Sequence, residues 1–108
     1  MKIIITIVGW LVTTSLTFNA TWYGEEFNDQ VTFSGEKFNC NKLTCASNYF
    51  PIGTKLKITN KENKKSVIVR CNDRGGMGEY TIDLSKEAFK RIADLKTGII
   101  DVKVKVIK

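Results

Sequence analysis

Two aspartates, Asp73 and Asp83, lie ten positions apart, and each follows a short apolar run that predicts a β-strand. Between them lie Gly75, Gly76 and Gly78, which permit positive φ angles and close backbone approach. Such carboxylates can converge on one cleft, because loops held by a rigid scaffold often present catalytic side chains. The local pattern alone favours turn and helix capping by both residues, with carboxylate acid–base chemistry as the functional alternative.

The chain contains no histidine, which removes Ser–His and Cys–His nucleophile pairs and the commonest metal ligand. It also lacks a CxxC pair, so we predict neither a zinc site nor a cofactor. Acid–base work would therefore fall to carboxylates. Glu36 follows a turn at Ser34 and Gly35 and is a further acidic candidate, with a solvated turn residue as its alternative role.

The chain is basic, with 17 Lys and Arg residues against 11 Asp and Glu residues, and a net charge of +6. This excess favours an anionic partner such as an acidic glycan, a cell-wall polymer or an anionic membrane surface. The lysines are scattered between strand residues, which argues against nucleic acid. A length of 108 residues indicates one domain with a modest core, and a monomer is the default expectation.

Residues 1–20 differ from the rest of the chain. Lys2 is followed by an apolar run at residues 3–12, and the stretch ends at Ala20. This is the pattern of a secretory signal peptide, so we predict a signal at 1–20 and a secreted or periplasmic domain at 21–108. The apolar run is too short for a stable membrane span, and a retained N-terminal anchor is the alternative.

The remaining sequence predicts short strands and one helix. Alternating or β-branched apolar residues predict strands near residues 21–24, 43–47, 55–59, 67–69, 80–82 and 102–106. Apolar residues at helical spacing predict a helix over 86–96, with Ser85 as its N-cap and Gly98 as its stop. Many short strands with one helix indicate a small β-barrel.

Five short motifs occur in a specific order. They are Thr21-Trp22-Tyr23-Gly24, Ser34-Gly35-Glu36-Lys37-Phe38, Pro51-Ile52-Gly53-Thr54, Asn72-Asp73-Arg74-Gly75 and Ile82-Asp83-Leu84-Ser85. In this order they resemble the rare lipoprotein A (RlpA) family, and the chain after Asp83 also looks like the barrel domain of bacterial expansin-like proteins. The resemblance implies a mainly β fold, a six-stranded double-psi β-barrel with one short helix, and a groove that binds cell-wall polysaccharide.

Members of the RlpA type are lytic transglycosylases, lyases that cleave peptidoglycan between N-acetylmuramic acid and N-acetylglucosamine and leave a 1,6-anhydro end. In this chemistry a carboxylic acid protonates the glycosidic oxygen, and the 6-hydroxyl of the sugar attacks. The resemblance matches Asp73 to the family's proposed catalytic aspartate. It matches Asp83 to the acid of expansin-like proteins and Glu36 to an acidic groove residue.

The resemblance also implies substrate-binding positions, at Ser47, Asn72, Arg74 and Tyr80. Ser47 stands where the family usually carries a histidine, and a serine does not titrate near neutrality. Two further functions therefore stay open. One is a non-hydrolytic, expansin-like binder that loosens peptidoglycan or a cellulose-like glycan, and the other is a barwin-like inhibitor that binds another protein.

Three cysteines, Cys40, Cys45 and Cys71, follow the predicted signal. In an oxidising compartment three cysteines indicate one disulfide and one free thiol. The family positions that match Ser47 and Asp73 meet in the groove, which would bring Cys45 near Cys71. The resemblance therefore favours a Cys45–Cys71 disulfide, with Cys40–Cys45 as the alternative.

Overall fold

The computed structural model describes residues 16–108, which form six strands, one α-helix and two 3-10 turns. The strands are β1 (Leu16–Tyr23), β2 (Thr44–Ala46), β3 (Lys55–Asn60), β4 (Ser66–Asp73), β5 (Thr81–Ser85) and β6 (Ile100–Ile107). The helix α1 is Lys86–Lys90, and the 3-10 turns are Glu25–Phe27 and Leu95–Thr97. Each predicted strand and the predicted helix has a counterpart.

The six strands close into a barrel in the order β1-β5-β2-β4-β3-β6. The pairs β1–β5 and β2–β4 are parallel, and the other four pairs are antiparallel. Between β2 and β4 the register shifts after Cys45, so that Ala46 lies opposite Asp73. The expected six-stranded double-psi β-barrel with one short helix is confirmed.

The core lies inside the barrel because its strands alternate apolar and polar residues. On β3 and β4, Leu56, Ile58, Val67 and Val69 point inward and are buried. Lys55 and Lys57, which alternate with Leu56 and Ile58 on β3, point outward. Helix α1 packs against β1, β4 and β5, and its apolar side chains Ala88 and Phe89 are fully buried.

Helix α1 is shorter than predicted. It begins as expected, since the Ser85 hydroxyl accepts a hydrogen bond from the Ala88 amide at 3.2 Å. It ends at Lys90, because Asp94 adopts an extended conformation and caps the following 3-10 turn by accepting from the Lys96 amide at 2.9 Å. The predicted end at residue 96 is wrong, although Phe89 and Ile92 bury the expected face.

Strand β1 begins at Leu16, five residues before the predicted start of the mature domain. Its first half pairs with β6, from Leu16 opposite Val104 to Ala20 opposite Ile100. Phe18 and Ala20 are 1% and 0% exposed, so they belong to the core. The predicted boundary at residue 20 therefore falls inside a barrel strand, and residues 1–15 of the predicted signal lie outside the described residues.

None of the helices within residues 16–108 is both long and apolar enough to cross a membrane.

Candidate active site

Asp73 and Asp83 lie on β4 and β5, the two strands that flank β2. Ala46 on β2 is the register partner of both aspartates, so their side chains share one face of the sheet. They line a cleft of about 370 Å³, together with Tyr23, Ala46 and the backbone of the glycine-rich loop. The small side chain of Ala46 leaves space between the two carboxylates.

Asp83 is partly buried, and within residues 16–108 its carboxylate makes one hydrogen bond, in which its Oδ1 accepts from the Thr21 hydroxyl at 2.8 Å. Thr21 lies opposite Asp83 in the parallel β1–β5 pair. Burial raises the pKa of Asp83 above its ordinary value of 3.8, the Thr21 hydrogen bond lowers it, and the negative charge of Asp73 raises it. Asp83 therefore has the property that a general acid requires, a proton retained to higher pH.

Asp73 is held by backbone donors. Its Oδ1 accepts from the amides of Phe33 and Arg74, both at 2.9 Å. The Phe33 contact ties the loop around Gly35 to the end of β4, and a bond from the Ser34 amide to the Asn72 carbonyl at 3.1 Å reinforces it. The carboxylate of Asp73 thus has a fixed position beside Asp83.

Tyr23 belongs to the same cleft and was not predicted as a site residue. Its ring stacks on Phe38 with centroids 4.3 Å apart. Its hydroxyl is buried and makes no hydrogen bond to the residues in 16–108. Burial raises the pKa of Tyr23 far above its ordinary value, and the charges of Asp73 and Asp83 add to the effect. The phenol is therefore neutral beside the two aspartates.

Replacing Tyr23 with phenylalanine should leave the free energy of unfolding unchanged or raise it by about 1 kcal/mol, because a buried hydroxyl without a partner is removed. Urea unfolding of the two proteins measures the difference. Tyr49→Phe, at a tyrosine that is 41% exposed, is the matched control and should change little. A loss of more than about 1 kcal/mol for Tyr23→Phe would show that the hydroxyl has a stabilising partner.

Glu36 lies outside the residues that line the cleft. Its carboxylate accepts from both terminal nitrogens of Arg70, at 2.8 and 3.2 Å, and from the Asn72 amide nitrogen at 2.7 Å. The Arg70 hydrogen bonds lower the pKa of Glu36, with Asn72 adding to the effect. Glu36 is thus ionised and holds its loop on β4. The Glu36 carboxylate and the side-chain nitrogen of Asn72 are both engaged in their mutual hydrogen bond.

The other predicted substrate-binding residues differ in burial and in whether they line the cleft. Ser47 is fully buried, and its hydroxyl accepts from the amides of Tyr49 and Phe50 at 3.0 and 3.2 Å. Arg74 lines the cleft, but its guanidinium donates to the carbonyls of Ser47 and Phe50. Tyr80 is 57% exposed and packs on Phe18 and Tyr49, outside the cleft lining.

Asn48 is a second residue that the sequence did not single out. Its side-chain nitrogen donates to the carbonyls of Gly75 and Met77, both at 2.8 Å. Its side-chain oxygen accepts from the Gly75 amide at 3.3 Å. Asn48 therefore fixes the glycine-rich loop that forms one wall of the cleft.

Cys45 and Cys71 are register partners on the parallel strands β2 and β4. Both are buried free thiols, as is Cys40. A hydrogen bond between Cys45 and Cys71 raises the pKa of Cys45 and lowers that of Cys71. The structure thus brings together the predicted pair, and their disulfide stays a prediction.

Protein purified without reductant should contain the Cys45–Cys71 disulfide, because paired strands lie about 4.8 Å apart, within the range that a disulfide spans. Closing this loop should stabilise the fold by about 3 kcal/mol. Alkylation of the unfolded protein followed by peptide mass mapping should label Cys40 alone. Cys40→Ser is the control that keeps the bond. Three labelled cysteines, or a Cys40–Cys45 peptide, would contradict the prediction.

Comparison with known proteins gives consistent matches. The family model described as lytic transglycolase matches residues 15–104. The endolytic peptidoglycan transglycosylase RlpA of Neisseria meningitidis (serogroup A) is 41% identical over 92 residues, covering 84% of this chain and 38% of that protein. The protein of the same name from Campylobacter jejuni is 43% identical over 89 residues, covering 82% and 32%. The chain thus spans about two fifths or less of these relatives.

Solved structures share the fold at low sequence identity. A point mutant of Clavibacter michiganensis expansin, in complex with cellohexaose, matches with a TM-score of 0.70 at 21% identity, covering 87% of this chain and 50% of that one. The Streptomyces papain inhibitor matches with a TM-score of 0.72 at 17% identity, covering 89% and 96%. The family match begins one residue before β1 and ends within β6. The chain therefore belongs to the lytic transglycolase family and is an RlpA-like double-psi β-barrel.

Proposed function

We propose that this barrel is a peptidoglycan lytic transglycosylase, which cleaves the bond between N-acetylmuramic acid and N-acetylglucosamine and leaves a 1,6-anhydro end. The observation that carries the proposal is the pair of aspartates on either side of Ala46, one of which has a raised pKa. Relatives about 40% identical, named endolytic peptidoglycan transglycosylases, support the same reaction. The site of action is the cell wall, outside the cytoplasmic membrane.

Asp83 is the general acid in this proposal. Its carboxyl proton passes to the glycosidic oxygen as the bond from that oxygen to C1 of the muramic acid breaks, and the glucosamine leaves with a free 4-hydroxyl. Asp83 is then a carboxylate. The 6-hydroxyl of the muramic acid attacks C1 and gives its proton to Asp83, which restores the acid. The nucleophile comes from the substrate, so the cleft has no need to hold a catalytic water.

Asp73 supplies negative charge where positive charge develops. The transition state of glycosidic cleavage resembles an oxocarbenium ion, which a fixed carboxylate stabilises. The amides of Phe33 and Arg74 hold that carboxylate in place before the reaction begins. The same charge raises the pKa of Asp83 and so favours its protonated form. Both carboxylates come from one chain, and we propose that a monomer is sufficient.

Replacing Thr21 with valine should move the descending limb of the pH profile of kcat/KM to higher pH. The Thr21 hydrogen bond lowers the pKa of Asp83, so its loss raises that pKa further and keeps the acid protonated to higher pH. Thr17→Val, on the same face of β1 but opposite Lys103, is the matched control. A limb that stays in place or moves to lower pH would contradict the role of Asp83 as the acid.

Digestion of purified peptidoglycan tests the function directly. Intact sacculi and glycan strands stripped of stem peptides would be incubated with the protein, and the soluble products analysed by mass spectrometry. Anhydro ends, each lighter by one water than a hydrolytic end, would support the proposal. Hydrolytic ends would indicate a glycosidase. No product with retention on an insoluble wall polymer would indicate the expansin-like binder, and no retention would indicate a protein-binding inhibitor.

A further inference from the structure

Four lysines form a basic face on the outside of the barrel, which we define as Lys55 and Lys57 on β3 with Lys103 and Lys105 on β6. Lys57 and Lys105 are direct register partners, and Lys55 and Lys103 occupy neighbouring outward positions. All four are exposed, and none takes part in the ion pairs formed within residues 16–108. The fold therefore concentrates four lysines here that form no ion pair within the described residues, and the exposed carboxylate of Asp101 lies two positions before Lys103 on the same face of β6.

This arrangement of lysines lowers the stability of the sheet. Like charges directly opposite each other on paired strands destabilise a sheet, and Lys57 and Lys105 are such a pair. Elsewhere the same barrel pairs its charges, as in Arg70 with Glu36 and Arg91 with Glu87. A negatively charged partner bound to the basic face would offset the repulsion.

The position of the basic face favours an extended partner that leaves the cleft free. In the closed order β1-β5-β2-β4-β3-β6, the pair β3–β6 lies across the barrel from β5–β2, where the aspartates flank Ala46. A surface bound by the lysines would therefore contact the side of the barrel away from the cleft. The cleft would remain directed outward.

Two observations favour a lipid surface as this partner. Ile68 is 51% exposed and is the register partner of Lys57, so the basic face has an apolar border, as membrane-surface sites commonly have. The chain enters β1 at Leu16, opposite Val104 and between the levels of Lys103 and Lys105. The sequence that precedes this point contains the apolar run at residues 3–12. If that run is retained, which is the alternative to a cleaved signal, it joins the barrel at this point beside β6.

We propose that the basic face of β3 and β6 binds an anionic phospholipid surface, with the cleft directed away from the membrane. Each lysine near such a surface adds attraction, which salt screens within about 10 Å at 0.1 M ionic strength. This inference is independent of the proposed reaction, because lipid binding is measured without glycan.

The test is sedimentation of the full chain with vesicles of phosphatidylcholine alone and of phosphatidylcholine with phosphatidylglycerol. We expect stronger binding to the anionic vesicles, lost at high salt. The double variant Lys57→Gln, Lys105→Gln should lower that partition coefficient about tenfold or more. The matched control Lys90→Gln, Lys96→Gln removes the same charge from α1 and the turn after it, and should lower it far less.

Binding to neutral vesicles measures the contribution of the apolar run. The ratio of the partition coefficients for anionic and neutral vesicles therefore measures the contribution of the basic face. Equal binding of wild type to both vesicle types would overturn the proposal. Equal losses in the two double variants would also overturn it, since net charge alone would then explain binding. Retention on an anionic wall polymer that depends on Lys57 and Lys105, without vesicle binding, would assign the face to that polymer instead. Thermal unfolding confirms that each variant is folded.

Discussion

Replacing Asp83 with asparagine should lower the rate of anhydro-product release by about 10²- to 10⁴-fold, which is the contribution of a positioned general acid. The variant is conservative, because asparagine keeps the side-chain oxygen that accepts from the Thr21 hydroxyl. It lacks a proton that can pass to the glycosidic oxygen. Mass spectrometry of products released from purified peptidoglycan measures the rates of the two proteins.

The same variant should not lose stability at neutral pH. The folded-state pKa of Asp83 is raised, so the native protein binds this proton more tightly than the unfolded chain does. Its contribution to stability is therefore present at low pH and is lost as the pH rises through the folded pKa. Asparagine is uncharged at every pH and avoids the cost of a buried carboxylate. An inactive variant with an unchanged or higher melting temperature would separate chemistry from folding.

Wild-type activity should fall as the pH rises through the pKa of Asp83, which lies above 3.8, because the acid form is then lost. Glu62→Gln, at an exposed glutamate of the β3–β4 hairpin, is the control and should retain activity.

Asp73→Asn should reduce the rate by removing charge stabilisation. If Asp73→Asn removes activity while Asp83→Asn keeps it, the acid is Asp73 and the roles proposed for the two aspartates are reversed.

Much of the barrel could be predicted because its signals are local. Strands β3 and β6 alternate lysines with Leu56, Ile58, Val102 and Val104, and that alternation needs no knowledge of partners. The two aspartates could be predicted to converge for a similar reason, since each lies at a strand beside a glycine-rich loop. What the sequence could not show is that Ala46 lies between them, because this depends on the shifted β2–β4 register.

The surroundings of the predicted site residues depend on long-range contacts that the sequence does not show. Glu36 was an acid candidate because of its type, but Arg70 and Asn72 lie 34 and 36 positions away along the chain and occupy its carboxylate. Tyr23 was missed although a signal was present. On β1, Phe18 and Ala20 point into the barrel core. Because side chains alternate along a strand, Thr21 and Tyr23 point to the opposite face, which also carries Asp83.

The start of β1 was misjudged because two hydrophobic patterns follow each other closely. The continuous apolar run at residues 3–12 is a leader signal, whereas residues 16–20 alternate as a strand does. The small residue Ala20 suggested the end of a leader, yet its side chain is fully buried against the barrel interior. The contribution of Phe18 to stability distinguishes the two interpretations, a leader that extends to Ala20 and a strand that begins at Leu16.

Replacing Phe18 with alanine should lower the free energy of unfolding by about 3–5 kcal/mol, the usual cost of truncating a buried phenylalanine. Phe18 is 1% exposed, and its ring centroid lies 5.5 Å from that of Tyr49 and 5.7 Å from that of Phe50. Such a loss is a large part of the roughly 5–15 kcal/mol that typically stabilises a domain. Urea unfolding measures it, with Thr17→Ala, at the exposed neighbouring residue, as the matched control.

The result also locates any leader cleavage. If Phe18 stabilises the fold as expected, a cut after Ala20 would delete the half of β1 that pairs with β6, and the barrel would open between the rest of β1 and β6. The exported protein should then keep Phe18 when its intact mass is measured. A Phe18→Ala variant within about 0.5 kcal/mol of wild type would instead show that the strand contributes nothing before residue 21, and the predicted boundary would stand.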